Sequence, residues 1–370
     1  GIGIRLVNGL PKSWSPSLRK LVRKDKPTAI RLLASLLNIY KALDAPHPDP
    51  DIKSIVQMHP DLSRSDTLKE FRKFCQEVFP GLLAKHFPSK SLPTFNYKSG
   101  YGYLPVKAGP NICGPALASL PLDAKAWDYE SHNWPLKWFE YHNDRPMADL
   151  MLRASTERVW GEGSYATSIF ATRTPISRFD EDSLSLSFRE DLRPRFNEDL
   201  PHRPFTGRLH CINEPAGKVR VIAIADYFTQ VACKPVHEYL FEILRSIKTD
   251  ATFDQDGVVE KYFKRNLSPH WSFDLKAATD TIPLQLYKEV LGPILRGVND
   301  TLEQGYERVE IWANLLTDRE WLFADGQRFV RYNTGQPMGA LSSWASMALV
   351  HHALVQFASN RIGLREQWYH

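Results

Sequence analysis

The chain has 370 residues, 43% apolar and 24% charged, a globular composition that excludes a collagen, a low-complexity chain and a wholly disordered one. The net charge of +5 is uneven: residues 1–41 carry nine Lys or Arg against one acid, Asp25, so this segment is +8 and the remainder −3. A segment this basic suits RNA or an anionic membrane surface, or forms a solvated helix face. Cys75, Cys113, Cys211 and Cys233 form no CxxC pair, which argues against a zinc ribbon or disulfide scaffold. No apolar run reaches the ~20 residues that span a bilayer, so stable membrane insertion is not expected. The start, Gly1-Ile2-Gly3, lacks Met and is not expected to be a natural N-terminus.

Helical periodicity covers 15–24 and then 27–43, where Ile30, Leu33, Leu37 and Tyr40 recur at three- and four-residue steps behind Pro27. Ala45-Pro46-His47-Pro48-Asp49-Pro50 reads as a linker. A helix is predicted over 65–78, ended by Pro80-Gly81. Residues 88–121 are Gly- and Pro-rich loop, and a mixed region follows to Pro204. Its Asp180-Glu181-Asp182 cluster reads as a solvated turn rather than a metal site. Val219–Ile224 is β-branched and predicts a strand, followed by a helix over 228–244. Trp271–Leu275 predicts a short strand and 283–295 a helix. Trp321–Phe323 and Arg328–Val330 flank Asp325-Gly326 as a β-hairpin, and a helix is expected through Phe357. The mixture predicts an α+β fold.

Three places carry chemistry. Asp274, at the end of the predicted strand, and Asp280 are hard oxygen donors of the kind that hold Mg²⁺, although Asp280 also suits a cap for the helix near Pro283. Gly335-Gln336-Pro337-Met338-Gly339 is a loop whose glycines permit close backbone approach, with Ser342 and Ser343 as N-cap candidates behind it. Lys218 and Arg220, two apart on a strand, share a face that suits a triphosphate or RNA backbone.

In order and content these places resemble one family. Gly217–Ile222 is similar to polymerase motif F, Asp274–Asp280 to motif A and Gly335–Trp344 to motif B. Together they resemble the RNA-dependent RNA polymerases of mitoviruses, capsidless RNA replicons of fungal and plant mitochondria. Glu214–Lys218, Lys234–His237, Thr252–Gln255 and His351-His352 add to the likeness, which is dense from Gly207 to Phe357. Upstream, Lys107–Asn111 and Gly114–Ala116 look like a family loop that would serve as motif G.

The resemblance implies a nucleotidyltransferase that uses an RNA template and NTPs, makes an RNA product, depends on Mg²⁺ (or Mn²⁺) and works in mitochondria. It implies Asp274 as catalytic metal ligand, Lys218 and Arg220 on the triphosphate, and Asp280 as acceptor of the ribose 2′-OH. Gly335, Gln336, Pro337, Met338 and Gly339, with Ser342 and Ser343, would form the template-side loop. Polymerases of other RNA viruses commonly place an Asn after this loop, so the partner of Asp280 is open. His351 and His352 are expected to pack rather than bind metal. The implied fold is a partial right hand with an incomplete palm sheet. It divides into a basic helical segment (1–44), an N-terminal fingers region (45–206), fingers with motif F (207–265) and a partial palm (266–370). No Gly-Asp-Asp occurs in the 370 residues, so a fragment inactive by itself is expected. The competing readings are a host-captured RNA-binding relic and a reverse transcriptase or maturase palm.

Overall fold

The structure is a computed structural model, and it describes residues 6–7, 10–24, 27–39, 46–58, 62, 64–103, 109–111, 120–156, 204–264 and 274–364. The Asp180–Asp182 cluster, Lys107, Ala108, Gly114–Ala116 and Trp271–Phe273 lie outside them. Two compact units form, Gly1–Asp51 with Cys211–Arg220 and Ile52–His210 with Val221–His370.

In the first unit, β1 (Leu6–Val7) pairs antiparallel with β2 (Leu10–Pro11). Helix α1 (Pro16–Arg23) starts where Ser15 Oγ accepts from Leu18 N–H, with Pro16 in its first turn. Helix α2 (Pro27–Asn38) buries Leu33 and exposes Leu32, Leu36 and Ile39 nearby.

The second unit is mostly helical: α3 (Lys53–Val56), α4 (Asp66–Glu77), α5 (Phe79–Ala84), α6 (Leu120–Ala126), α7 (Trp134–Tyr141) and α8 (Arg145–Thr156) precede the first long strand. Helix α4 buries Leu68, Phe71, Phe74 and Cys75 on one face, and each of the Leu and Phe side chains contributes roughly 1.5–3 kcal/mol. Helix α4 ends at Glu77, close to the predicted end before Pro80-Gly81, but a further helix follows at once. Proline is tolerated in a first turn, where its missing N–H has no partner to lose, and α5 starts there.

Strand β3 (Gly207–Glu214) turns at Pro215–Gly217 into β4 (Lys218–Ala225), which opens α9 (Tyr227–Ser246). Then follow α10 (Gln255–Lys264), α11 (Ala278–Thr281), α12 (Leu284–Leu291), α13 (Leu302–Thr317), β5 (Trp321–Leu322), β6 (Phe329–Val330) and α14 (Ser343–Arg361). Helix α12 ends at Leu291, earlier than the predicted Leu295. The four-stranded sheet has the order β4-β3-β5-β6, with β3 parallel to β5 and β5 antiparallel to β6 across the Asp325-Gly326 turn. The fold is therefore α+β, as predicted.

One large core joins α4–α9 to α12, α13 and α14. A second, beside the sheet, gathers Ile55, Leu209, Ala223, Trp321 and Tyr332. Between sheet and helices Arg319 is fully buried, sandwiched between the rings of Trp127 (4.7 Å) and Trp321 (4.6 Å). Its Nη2 donates to Asp226 Oδ2 at 2.8 Å, and Asp226 in turn caps α9 by accepting from Thr229 N–H. Burial lowers the Arg319 pKa, and Asp226 opposes that shift.

Candidate functional site

Asp274 and Leu275 are exposed and lie in no strand, contrary to the prediction. The backbone turns at Lys276-Ala277 and enters α11 through Ala277, whose φ of 50° is left-handed. Such a conformation costs of order 1–3 kcal/mol in a residue with a Cβ, so strain sits at this turn. Asp280 lies inside α11 and does not cap α12, whose N-cap position is Pro283. Its Oδ2 accepts a hydrogen bond from Ser54 Oγ at 2.8 Å. Burial pushes the Asp280 carboxyl above the usual carboxylate range, and the Ser54 bond pulls the other way.

The Gly335–Gly339 loop is held at both ends by main chain. Gly335 N–H donates to Asp280 O (3.0 Å), and Gln336 N–H donates to Thr279 O (2.9 Å). A Cβ on Gly335 would lie 2.1 Å from Thr279 O, so only glycine permits this approach. At the other end Ala223 N–H of β4 donates to Met338 O at 2.7 Å. Gly339 has φ 120°, and a Cβ there would meet Ala223 O at 2.5 Å. Between the glycines, the fully buried Gln336 donates through Nε2 to Ser343 O (3.1 Å) and Ser346 Oγ (2.9 Å).

Ser342 and Ser343 do not cap α14 with their hydroxyls. Ser342 stands at the N-cap position with a left-handed φ of 71° and makes no side-chain cap bond. Its Oγ accepts from Trp312 Nε1 at 2.9 Å, while its N–H donates to His237 Nδ1 at 3.2 Å. Ser343 Oγ donates instead to Pro337 O at 2.6 Å.

Lys218 and Arg220 reach one carboxylate, as two residues on a shared strand face should. Arg220 Nε lies 2.7 Å from Glu214 Oε1 and Lys218 Nζ 3.5 Å from Oε2. The hydrogen bond from Arg220 holds Glu214 below the usual carboxylate range. Glu214 precedes the Pro215–Gly217 turn, and that turn sets it beside the two cations. Sequence reasoning did not single it out, although the turn is a readable signal. Ser54, Trp312 and His237 were missed because their contacts join residues far apart in the chain.

His352 is buried and its Nε2 meets Asp250 Oδ2 at 2.9 Å, so it packs as expected. Among the described residues no group of three His, Cys, Asp or Glu is placed to hold a metal ion. The exposed Asp274 carboxylate fits one ligand of a Mg²⁺ shared with waters and phosphate oxygens. By itself it does not make a two-ion clamp.

The model of the mitovirus RNA-dependent RNA polymerase matches residues 95–369. The RNA-directed RNA polymerase of Cryphonectria parasitica mitovirus 1 is 34% identical over 163 residues, 43% of this chain and 19% of that protein. An uncharacterized mitochondrial protein of Arabidopsis thaliana is 32% identical over 119 residues, 32% of this chain and 45% of that protein. The matches thus span about a fifth of the first relative and under half of the second. No solved structure matches. Because the family model covers most of its length, the chain belongs to the mitovirus RNA-dependent RNA polymerase family.

Proposed function

We propose that these residues form part of an RNA-directed RNA polymerase that transfers a nucleotidyl group from an NTP to the 3′-OH of a growing RNA, with pyrophosphate leaving. Residues 207–265 would belong to the fingers and 266–370 to the palm. Lys218 and Arg220 bind the triphosphate, exchanging Glu214 for phosphate oxygens as it arrives. Asp280 accepts from the ribose 2′-OH, a role that suits a carboxylate, which ionised is an acceptor only. The Gly335–Gly339 loop, with Ser342 and Ser343 behind it, supports the template base. Asp274 is the residue that would hold Mg²⁺ or Mn²⁺, which when bound neutralises phosphate charge. RNA template and product are the macromolecular partners, and mitochondria are the place of action.

The observation that carries this reading is the pair of main-chain bonds from Gly335 and Gln336 to Asp280 and Thr279. It joins two of the motif segments that are distant in sequence, and the Met338–Ala223 bond fixes the far end of the loop to main chain. With Asp274 but no Gly-Asp-Asp, the 370 residues by themselves bind nucleotide and RNA without turnover. A relic that binds RNA in a host mitochondrion is the second reading, favoured by the Arabidopsis match.

The test supplies the purified chain with an RNA primer–template, Mg²⁺ and labelled NTPs or dNTPs. Retained RNA that is released by salt, with no extended primer, is the expected result. Ribonucleotide extension abolished by Asp274→Asn would contradict the inactivity of these residues. Extension with dNTPs alone would favour a reverse transcriptase.

A further inference from the structure

We propose that Ser54 is a positioning residue for ribose recognition: it holds one oxygen of the Asp280 carboxylate and leaves the other to accept the 2′-OH of a bound ribonucleotide. The proposal rests on the reading of Asp280 as the ribose acceptor. Ser54 stands on α3, upstream of the residues that the family model matches, and nothing in its local sequence, Lys53-Ser54-Ile55-Val56, marks it.

The first support is the contact itself. Ser54 Oγ donates to Asp280 Oδ2 at 2.8 Å, and Oδ1 takes no hydrogen bond among the described residues. An ionised carboxylate accepts at both oxygens, about four lone pairs in all, so with Ser54 on Oδ2 the whole of Oδ1 is left for a ligand's donor. The second is elimination. The hydroxyls that flank the glycine loop bond elsewhere: Thr334 Oγ1 donates to Gln57 O, Ser342 Oγ accepts from Trp312 Nε1 and Ser343 Oγ donates to Pro337 O.

The third support is that the contact is built rather than incidental. Ile55 is 2% exposed and anchors α3 in the core beside the sheet. Asn333 N–H donates to Ile55 O (3.1 Å), Asn333 Nδ2 to Val56 O (2.6 Å) and Thr334 Oγ1 to Gln57 O (2.7 Å). The next residue, Gly335, bonds to Asp280 O. A closed circuit therefore runs from Ser54 through Asp280, Gly335 and Thr334 to Gln57 and back along α3. Hydroxyl and carboxylate are held from both sides by the same loop, which is how a carboxylate is kept in one orientation for a ligand.

Binding of ATP and dATP, each with Mg²⁺, to the purified chain and its variants tests the proposal. The unsubstituted chain should prefer ATP about tenfold, the size of one hydrogen bond to a charged group. Asp280→Asn should remove most of that preference. Ser54→Ala should reduce it to about twofold by weakening ATP while dATP stays within twofold, and Ser54→Thr, which keeps the hydroxyl, should restore it. Unchanged preference in Ser54→Ala, when Asp280→Asn has lost it, overturns the role of Ser54 and spares that of Asp280. Tighter ATP binding in Ser54→Ala also overturns it, since Ser54 would then occupy the place of the ribose hydroxyl. If the unsubstituted chain shows no preference, or Asp280→Asn keeps it, the ribose reading fails and this proposal falls with it.

Discussion

Gly335→Ala is expected to destabilise the second unit by at least about 3 kcal/mol and to lose nucleotide binding. A Cβ there would stand 2.1 Å from Thr279 O and 2.6 Å from Asp280 O, both main-chain atoms that no rotamer change can move. The loop must lift, and the bonds from Gly335 and Gln336 N–H break together. Leaving such groups unpaired costs roughly 1–3 kcal/mol each, and overpacking adds roughly 1–3 kcal/mol. Gly81→Ala is the internal control. Nothing lies within 4 Å of a Cβ at Gly81, and it sits in helix α5, so the change should be neutral or stabilising by up to about 1 kcal/mol. Denaturant unfolding measures both, and a Gly335→Ala chain within about 1 kcal/mol of the original would contradict the close approach.

Arg319→Met should cost a similar amount for a different reason. Arg319 and Asp226 are both fully buried, and removal of the cation leaves a carboxylate with no counter-charge. Breaking one half of such a pair costs about 3–5 kcal/mol, whereas replacing both halves is often close to neutral. Adding Asp226→Asn to Arg319→Met should therefore recover at least half of the loss, because Asn still caps α9 through Thr229 N–H. A double variant less stable than Arg319→Met would contradict this reading, and the same unfolding curves decide it.

These two sites also mark what was legible in the sequence. The glycines of Gly335–Gly339 announced a close approach, and β4, the Asp325-Gly326 hairpin and α14 follow from β-branched runs, turn residues and apolar periodicity. All of these are local signals. Thr301 and Gln304 form a capping box at the start of α13, which is also local, yet no element was expected over 302–317. What Gly335 approaches was not legible, nor that Ser54 holds Asp280. Those contacts are set by the packing of segments far apart in the chain, and their residue types alone match many surface positions. The strand expected to end in Asp274 fails at its described residues because the chain turns at Ala277, and alanine carries no signal for a positive φ. Ser342 shows the same limit. Serine before a helix predicts a cap, but the neighbouring Trp312 claims its oxygen.

The proposed polymerase reading has Asp274 serving a metal-bound nucleotide. The most direct measurement is ATP binding by the purified chain and by Asp274→Asn, each with and without Mg²⁺. Mg²⁺ should tighten ATP binding to the original chain and leave Asp274→Asn unchanged, with both folded to the same extent. An equal Mg²⁺ effect on the two chains would contradict the claim.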